Sequence, residues 1–203
     1  GMIMRHPSRN IMNELERSIL SLYSYDPEPD NIKIDNILMQ SVRLIGYFPS
    51  IIAHAYAVKR HYFDGDSLHI HFPVENLSTA ENFLRMMRPD KSYTDEEAKL
   101  LDMMLMVHAE HGGGNNSTFT TRVVTSSGSD TYSVIAAALS SLKGPKHGGA
   151  NIKVMQMMDD IRAHVADPLD EEAMADYLGR IVDRQAFDQK GLIYGMGHAV
   201  YSL

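Results

Sequence analysis

The amino-acid sequence predicts an all-α fold. Apolar residues recur at the three- and four-residue spacing of a helix along most of the chain, and turn-forming or capping residues separate the periodic stretches. Only residues 68–72 alternate polar and apolar positions in the manner of a strand. One short strand cannot form a sheet by itself, so we expect a multi-helical architecture.

The first predicted helix covers residues 10–23. Leu15 and Ile19 lie about one turn apart on it, which places them on one apolar face. The turn-prone residues before it include Ser8 and Asn10, and the side chain of either one is suited to accept a hydrogen bond from the first turn. We therefore expect an amphipathic helix with a polar cap at its start.

Four more helices are predicted between residues 35 and 108. Residues 35–61 keep a helical apolar spacing but include Pro49, which lacks a backbone N–H, so we expect a pair of mostly buried helices there. Residues 76–87 and 94–108 are helical by the same pattern. The second of these opens with Thr-Asp-Glu-Glu at 94–97, the spacing of a capping box.

Glycine, serine and proline mark the ends of elements in the second half. Residues 126–130 interrupt the helical pattern, and Gly144-Pro145 ends it. Two further helices are predicted at residues 151–165 and 169–187, followed by a glycine-rich loop at residues 191–198. On these local grounds Gly144-Pro145 is the best candidate for a domain boundary.

Charge and composition exclude several classes of protein. The chain has 19 Lys and Arg against 26 Asp and Glu, a net charge of −7, whereas a general nucleic-acid binder has a basic face. No segment has the roughly 18 uninterrupted apolar residues of a membrane-spanning helix. The chain has no cysteine, which excludes disulfides, thiolate nucleophiles and thiolate metal ligands and fits a cytoplasmic location.

Three histidines, His111, His147 and His198, lie close to pairs or runs of glycine. Glycine lets a ligand approach the backbone and leaves a neighbouring ring uncovered, whereas a packed core histidine is surrounded by side chains. The repetition of one setting at three separate places favours a shared pocket. We therefore treat these three imidazoles as the candidate chemical groups of the protein.

A metal site and an anion site are the alternatives for this region. His108 and His111 lie three residues apart at a predicted helix end, but the spacing differs from the i, i+4 pair of zinc proteases and no third ligand follows at a diagnostic distance, so we expect no metal. Lys143, Lys146 and Lys153 flank the middle histidine. They form either an anion-binding group or a solvated surface.

Three motifs together resemble the citrate synthase family. They are His111-x-x-x-Asn115-x-Ser117, Gly144-Pro145-Lys146-His147-Gly148-Gly149-Ala150-Asn151 and Gly195-Met196-Gly197-His198-Ala199-Val200-Tyr201. The second motif is highly specific, and the third supports it independently. The similarity runs over the entire chain, and it implies a helical large domain, residues 1–144, followed by the start of a small domain, residues 145–203.

The resemblance also implies roles for individual residues. His147 resembles the catalytic histidine that hydrogen-bonds the thioester carbonyl of acetyl-CoA, and His198 resembles the one that binds the carbonyl of oxaloacetate and acts as its acid. His111, Asn115 and Ser117 are implied in substrate binding, His111 as a ligand of an oxaloacetate carboxylate and Ser117 as a support for the first catalytic histidine. The implied coenzyme A contacts are Leu192, Ile193 and Gly195.

The implied protein is a homodimeric acyltransferase of the tricarboxylic acid cycle that uses acetyl-CoA as a substrate and has no metal or redox cofactor. The nearest alternative is 2-methylcitrate synthase, which uses propionyl-CoA through the same histidines. The family's general-base Asp and carboxylate-binding Arg residues follow the second catalytic histidine and have no match here, so we expect the 203-residue polypeptide alone to be catalytically incomplete. A third interpretation is a non-catalytic helical dimerisation fragment.

The sequence departs from the family pattern in the glycine-rich loop. Tyr194 stands where many relatives have Pro.

Overall fold

The structure, a computed structural model, describes residues 2–109 and 112–197. Every regular element in these two ranges is helical, as the sequence predicts. The α-helices are α1 Met2–Arg5, α2 Ile11–Leu22, α3 Ile34–Asp64, α4 Thr79–Met87, α5 Asp95–Val107, α6 Asn116–Ser126, α7 Thr131–Lys143, α8 Ala150–His164 and α9 Glu171–Val182, with a short 3₁₀ turn at Tyr23–Tyr25. The chain divides into two compact units, of which the first ends at Lys143 and the second begins at Gly144.

The core of the first unit lies between α2, α3 and α7. Leu15, Ile19, Leu44, Tyr132 and Leu139 are buried together there, and α6 packs along α7. Burial of these side chains away from water is the main favourable contribution to packing the three helices. The apolar face predicted for the first helix, which carries Leu15 and Ile19, therefore forms part of this core.

The start of α2 confirms the predicted cap. Asn10 has an extended backbone, and its Oδ1 accepts a hydrogen bond from the backbone N–H of Asn13 over 3.0 Å. Ser8 supports the cap from two residues earlier, because its Oγ accepts from the N–H of Asn10 over 3.1 Å. The two candidate caps thus form one chain of hydrogen bonds, which satisfies backbone donors that the first turn of a helix leaves open.

The prediction for residues 35–61 is wrong in two respects. The segment is one continuous helix, α3, with Pro49 inside it, because the loss of a single N–H interrupts one hydrogen bond and leaves those on either side intact. It is also not mostly buried. Four side chains on one face of its N-terminal half are between 56% and 72% exposed, namely Ile34, Leu38, Val42 and Ile45.

The strand predicted at residues 68–72 is absent, since these residues form no ladder with any described part of the chain. Side chains hold the segment instead. The ring Nε2 of His54 on α3 lies 2.9 Å from the carbonyl oxygen of His71. The ring Nε2 of His71 lies 3.0 Å from the carbonyl oxygen of Pro89. The alternation in the sequence reflects packing of an extended segment against helices, which has the same period as a strand.

Capping boxes begin both α4 and α5. Thr94 and Glu97 cap α5 reciprocally, as predicted, and Ser78 and Glu81 do the same for α4, which begins three residues later than the pattern indicates. Glu97 is also held by Arg88, whose Nη2 lies 2.6 Å from its Oε1. Hydrogen bonds from Arg88 and from the backbone of Thr94 lower the pKa of Glu97 to about 2.

In the second unit, α8 and α9 share a core. The buried residues there include Met157 and Ile161 on α8 and Tyr177 and Ile181 on α9. The prediction that the last helix extends to residue 187 is wrong, because α9 ends at Val182. Within residues 2–109 and 112–197 no helix has both the length and the apolar character needed to cross a membrane.

Candidate active site

The segment around His147 forms a tight turn between α7 and α8. The carbonyl oxygen of Gly144 accepts hydrogen bonds from the backbone N–H groups of His147 and Gly148, over 3.0 and 2.9 Å. Gly149 follows with φ −85° and caps the start of α8. A Cβ atom at Gly149 would overlap the backbone of Pro145, so this position requires glycine for space.

This turn places His147 three residues before the first residue of α8. The N-terminus of a helix carries a partial positive charge from its open N–H groups, so it favours negative charge nearby. The His147 side chain is half-buried. An imidazole N–H held on a rigid turn beside a helix N-terminus is suited to donate a hydrogen bond to an oxygen on which negative charge develops.

The glycine-rich loop at residues 191–197 lies against the N-terminal half of α8. Gly195 and Gly197 have φ values of 89° and 76°, which side chains other than glycine rarely adopt. A Cβ at Gly195 would come within 3.1 Å of Val154 Cγ2, so the loop approaches α8 closely. Ile193 packs partly against the core of the unit, whereas Leu192 is 53% exposed.

Four side chains tie this loop to α8, and we call them the Tyr194 cluster: Lys153, Phe187, Asp188 and Tyr194. The Tyr194 hydroxyl donates to Asp188 Oδ2 over 2.7 Å, and Lys153 Nζ lies 3.7 Å from the same oxygen. Lys153 Nζ is also 5.8 Å from the centre of the Phe187 ring and 5.9 Å from that of Tyr194. The two rings meet edge to face with centroids 6.0 Å apart.

The electrostatics of the cluster are consistent with an ionised Asp188. Partial burial acts to raise its pKa, but hydrogen bonds from Tyr194 and from the backbone of Lys190, together with the nearby Lys153 charge, lower the pKa below its ordinary value. The same hydrogen bond raises the pKa of Tyr194. The tyrosine therefore keeps its proton and remains the donor.

In the first unit, Asn115 and Ser117 lie at the start of α6. Asn115 caps this helix, because its Oδ1 accepts from the backbone N–H of Thr118 over 2.8 Å. The Ser117 hydroxyl donates to the carbonyl oxygen of Ala138 on α7 over 3.2 Å. These two predicted binding residues thus lie two positions apart at one helix end, and their binding roles stay predictions.

Two of the predicted site residues, His111 and His198, lie outside the described residues, and their roles stay predictions. The other residue of the alternative zinc pair, His108, lies within the described residues. Its ring Nδ1 is 2.7 Å from the carbonyl oxygen of Met104, one turn earlier on α5.

Two of the three lysines near His147 have carboxylate partners in their own units. Lys143 Nζ lies 3.2 Å from Glu16 Oε2, and Lys153 contacts Asp188.

The sequence pattern gives no direct signal for the Tyr194 cluster. Asp188 and Tyr194 lie in a segment that breaks the helical periodicity. Lys153 is one of three lysines that flank His147 in the sequence, with Lys143 and Lys146. The one available signal is the tyrosine itself, at a position where many members of the resembled family have proline. The contacts become visible only once the loop is folded back on α8.

Comparisons with known proteins agree on one family. A family model described as "Citrate synthase, C-terminal domain" matches residues 2–203. A citrate synthase of Deinococcus radiodurans is 37% identical over 190 residues, which is 94% of this chain and 45% of that protein. A 2-methylcitrate synthase of Corynebacterium glutamicum is 35% identical over 194 residues, 94% of this chain and 46% of that protein.

Solved structures give the same result. The crystal structure of citrate synthase from Thermotoga maritima aligns with a TM-score of 0.66 and 26% identity, over 98% of this chain and 47% of that one. Citrate synthase from Pyrobaculum aerophilum aligns with a TM-score of 0.67 and 28% identity, over 94% of this chain and 45% of that one. The chain therefore spans less than half the length of the relatives it matches.

Proposed function

Because this chain belongs to the citrate synthase family, we propose that the protein containing it is an acyltransferase that condenses acetyl-CoA with oxaloacetate and hydrolyses the product to citrate and coenzyme A. One observation supports the proposal most strongly. The motif Gly-Pro-Lys-His-Gly-Gly-Ala-Asn at residues 144–151 folds into a sterically locked turn that presents His147 ahead of a helix N-terminus, within a family match that runs along the chain.

The chemistry requires stabilisation of a developing enolate. The proton on the methyl group of acetyl-CoA is taken by a general base, which the family resemblance places after His198 in the longer protein. The negative charge that results moves onto the thioester oxygen, and a donor placed there lowers the barrier. We assign this donor to His147. The nucleophilic carbon then attacks the ketone carbon of oxaloacetate, whose oxygen takes a proton from the group we assign to His198, and water releases coenzyme A from the resulting thioester.

Binding of coenzyme A is assigned to the loop at residues 191–197. Leu192, Ile193 and Gly195 offer backbone N–H and C=O groups, and glycine has no side chain to keep a ligand away from the backbone. The exposed Leu192 supports this assignment, because an uncovered apolar side chain on a binding loop is available to a ligand. His111, Asn115 and Ser117 are assigned to oxaloacetate binding. The proposal involves no metal or redox cofactor.

A 2-methylcitrate synthase is the second candidate, and the relative from Corynebacterium glutamicum supports it. The two activities differ by one methylene in the acyl group of the substrate. One methylene in an apolar pocket is worth about 1–3 kcal/mol of discrimination, so a few side chains are enough to change the preference. The two candidates share the same assigned histidines and differ only in the size of the acyl pocket.

The test measures release of the coenzyme A thiol by the gene product that contains these 203 residues, with a colorimetric disulfide reagent. We expect release that depends on oxaloacetate and is lost in His147→Gln, which keeps polarity and approximate size. A higher kcat/KM with propionyl-CoA than with acetyl-CoA would assign the second candidate. No oxaloacetate-dependent release from either thioester, together with no binding of either substrate in calorimetry, would contradict both and favour a non-catalytic helical protein.

We also propose a homodimer formed through α5. Five side chains in the C-terminal part of this helix are between 50% and 67% exposed, namely Leu100, Met103, Met104, Met106 and Val107. A contiguous apolar surface of this kind is unfavourable in water and is typical of a subunit interface. The place in the tricarboxylic acid cycle and the cytoplasmic location stay predictions of the resemblance.

A further inference from the structure

The loop at residues 191–197 is rich in glycine. It begins with Gly191 and includes Gly195 and Gly197, and all three have positive φ values. Glycine loses more conformational freedom on ordering than any other residue, so a free loop of this composition would spend part of its binding energy on becoming ordered. A loop that binds a flexible ligand through its backbone therefore benefits from an external anchor.

Tyr194 is placed to provide that anchor. It lies between Ile193 and Gly195, two of the assigned coenzyme A contacts, and its hydroxyl donates to the Asp188 carboxylate over 2.7 Å. A hydrogen bond to a charged acceptor is stronger than one between neutral groups. The bond thus fixes the middle of the loop to a point outside it.

Asp188 is itself held firmly. Its Oδ1 accepts from the backbone N–H of Lys190 over 3.2 Å, and its Oδ2 lies 3.7 Å from Lys153 Nζ on α8. Three residues around it, Arg184, Phe187 and Gln189, have φ values between 52° and 62° although none is glycine. Such conformations persist only where surrounding contacts determine them, so residues 184–190 have a defined, strained shape.

The anchor of the loop also includes α8, the helix that follows the turn around His147. Lys153 lies in the first turn of α8, four residues after the Gly149 cap, and Val154 beside it is the residue against which Gly195 packs. The N-terminal part of α8 therefore contacts the loop through two consecutive side chains. A rigid helix is a better reference for positioning a loop than another loop.

From these contacts, and resting on the proposed function, we infer that Tyr194, Asp188 and Lys153 are positioning residues that hold the loop at residues 191–197 in the conformation that binds coenzyme A. They act on affinity for the acyl-CoA substrate. They take no part in the bond-making steps, which belong to other groups.

The test compares Tyr194→Phe with a matched control. Tyr177→Phe removes a bond of the same kind in the same unit, since the Tyr177 hydroxyl donates to Asp160 Oδ2 over 2.6 Å and joins α9 to α8. We expect Tyr194→Phe to raise KM for the acyl-CoA substrate by roughly three- to tenfold, the effect of one lost anchoring hydrogen bond. The kcat and the KM for oxaloacetate stay within about twofold of wild type. Tyr177→Phe leaves all three constants unchanged.

Asp188→Asn refines the result, because the amide oxygen still accepts from Tyr194 but has no charge for Lys153. We expect Asp188→Asn to raise KM for the acyl-CoA substrate by less than Tyr194→Phe does. Equal changes in KM for acyl-CoA in Tyr194→Phe and Tyr177→Phe would show that the bond only stabilises the unit and would overturn the inference. A fall in kcat with unchanged KM would also overturn it.

Hydrogen exchange gives a readout that does not depend on turnover. In the gene product without ligand, we expect amides at residues 191–197 to exchange faster in Tyr194→Phe than in wild type or Tyr177→Phe, because the loop opens more often. Equal exchange in all three proteins would contradict the positioning role. If wild type shows no oxaloacetate-dependent coenzyme A release, the proposed function fails, and the exchange data alone decide whether the cluster holds the loop.

Discussion

Gly149 shows how a single residue can be required for its size alone. Its φ of −85° suits any residue, but a Cβ there would overlap the backbone of Pro145. Gly149→Ala therefore forces the turn that holds His147 to shift. We expect a loss of about 1–3 kcal/mol in the free energy of unfolding, as for other overpacked sites. We also expect a loss of coenzyme A release by the protein that remains folded, because His147 is displaced. Denaturant unfolding and thiol release measure the two effects.

A second glycine provides the control. Gly179 lies inside α9, and a Cβ there meets no atom within 4 Å. Gly179→Ala should raise the free energy of unfolding by about 0.5–1 kcal/mol, because alanine has the higher helix propensity. If both substitutions changed stability in the same direction, steric overlap at Gly149 would not be the cause.

Asp26 and Tyr132 join distant parts of the first unit. The Tyr132 hydroxyl donates to Asp26 Oδ2 over 2.6 Å, and this bond is the main reason that the pKa of Asp26 lies below its ordinary value of 3.8. A carboxyl whose pKa is lowered by folding stabilises the folded state above its ordinary pKa and loses that contribution as the pH falls through the folded-state value. The bond therefore contributes at neutral pH and not in strong acid.

Tyr132→Phe tests this bond, since it removes the hydroxyl and keeps the ring. We expect the variant to be about 1–2 kcal/mol less stable than wild type near pH 7 and the difference to shrink as the pH falls below 3.8. Urea unfolding at several pH values measures it. Tyr25→Phe is the control, because Tyr25 is 83% exposed. A difference that stayed constant down to about pH 2 would show that the carboxylate is not the partner.

At the scale of single elements, the sequence predicts the caps of α2 and α5 but not the continuity of α3. Asn10 and Thr94 were identified as caps from residue type and spacing, because capping depends on contacts within one turn. Pro49 predicts a split in the helix, but the hydrogen bonds on both sides of it keep α3 continuous. The alternation at residues 68–72 predicts a strand, because sequence period does not distinguish a strand from an extended segment packed on helices.

The cap of α5 can be tested with two substitutions. Thr94→Ala removes the oxygen that accepts from the N–H of Glu97 over 3.2 Å, whereas Thr94→Ser retains it. We expect the alanine variant to lose about 1 kcal/mol in the free energy of unfolding and the serine variant to lose much less. Chemical denaturation followed by far-ultraviolet circular dichroism measures both. Equal losses in the two variants would assign the effect to the methyl group.

At the scale of the whole molecule, the family could be predicted from the sequence and the loop anchor could not. The family depends on short motifs, such as residues 144–151, that can be read directly from the sequence. The Tyr194 cluster depends on side chains up to 41 positions apart that meet only after residues 184–197 fold back on α8. Contacts of this kind depend on tertiary packing, which the local periodicity of the sequence does not predict.

The exposed apolar face of α5 is a second property of the whole molecule, because its consequence is assembly. Met103 and Met106 lie three residues apart, on one side of the helix, and are 59% and 67% exposed. If a second copy of the chain covers this face, replacing both by glutamate places two charges in an apolar contact, which is strongly unfavourable. We expect Met103→Glu/Met106→Glu to sediment as a monomer in analytical ultracentrifugation where wild type sediments as a dimer. Leu169→Glu is the control, since Leu169 is 89% exposed outside any helix and should remain dimeric. A double variant that stays dimeric would place the interface elsewhere.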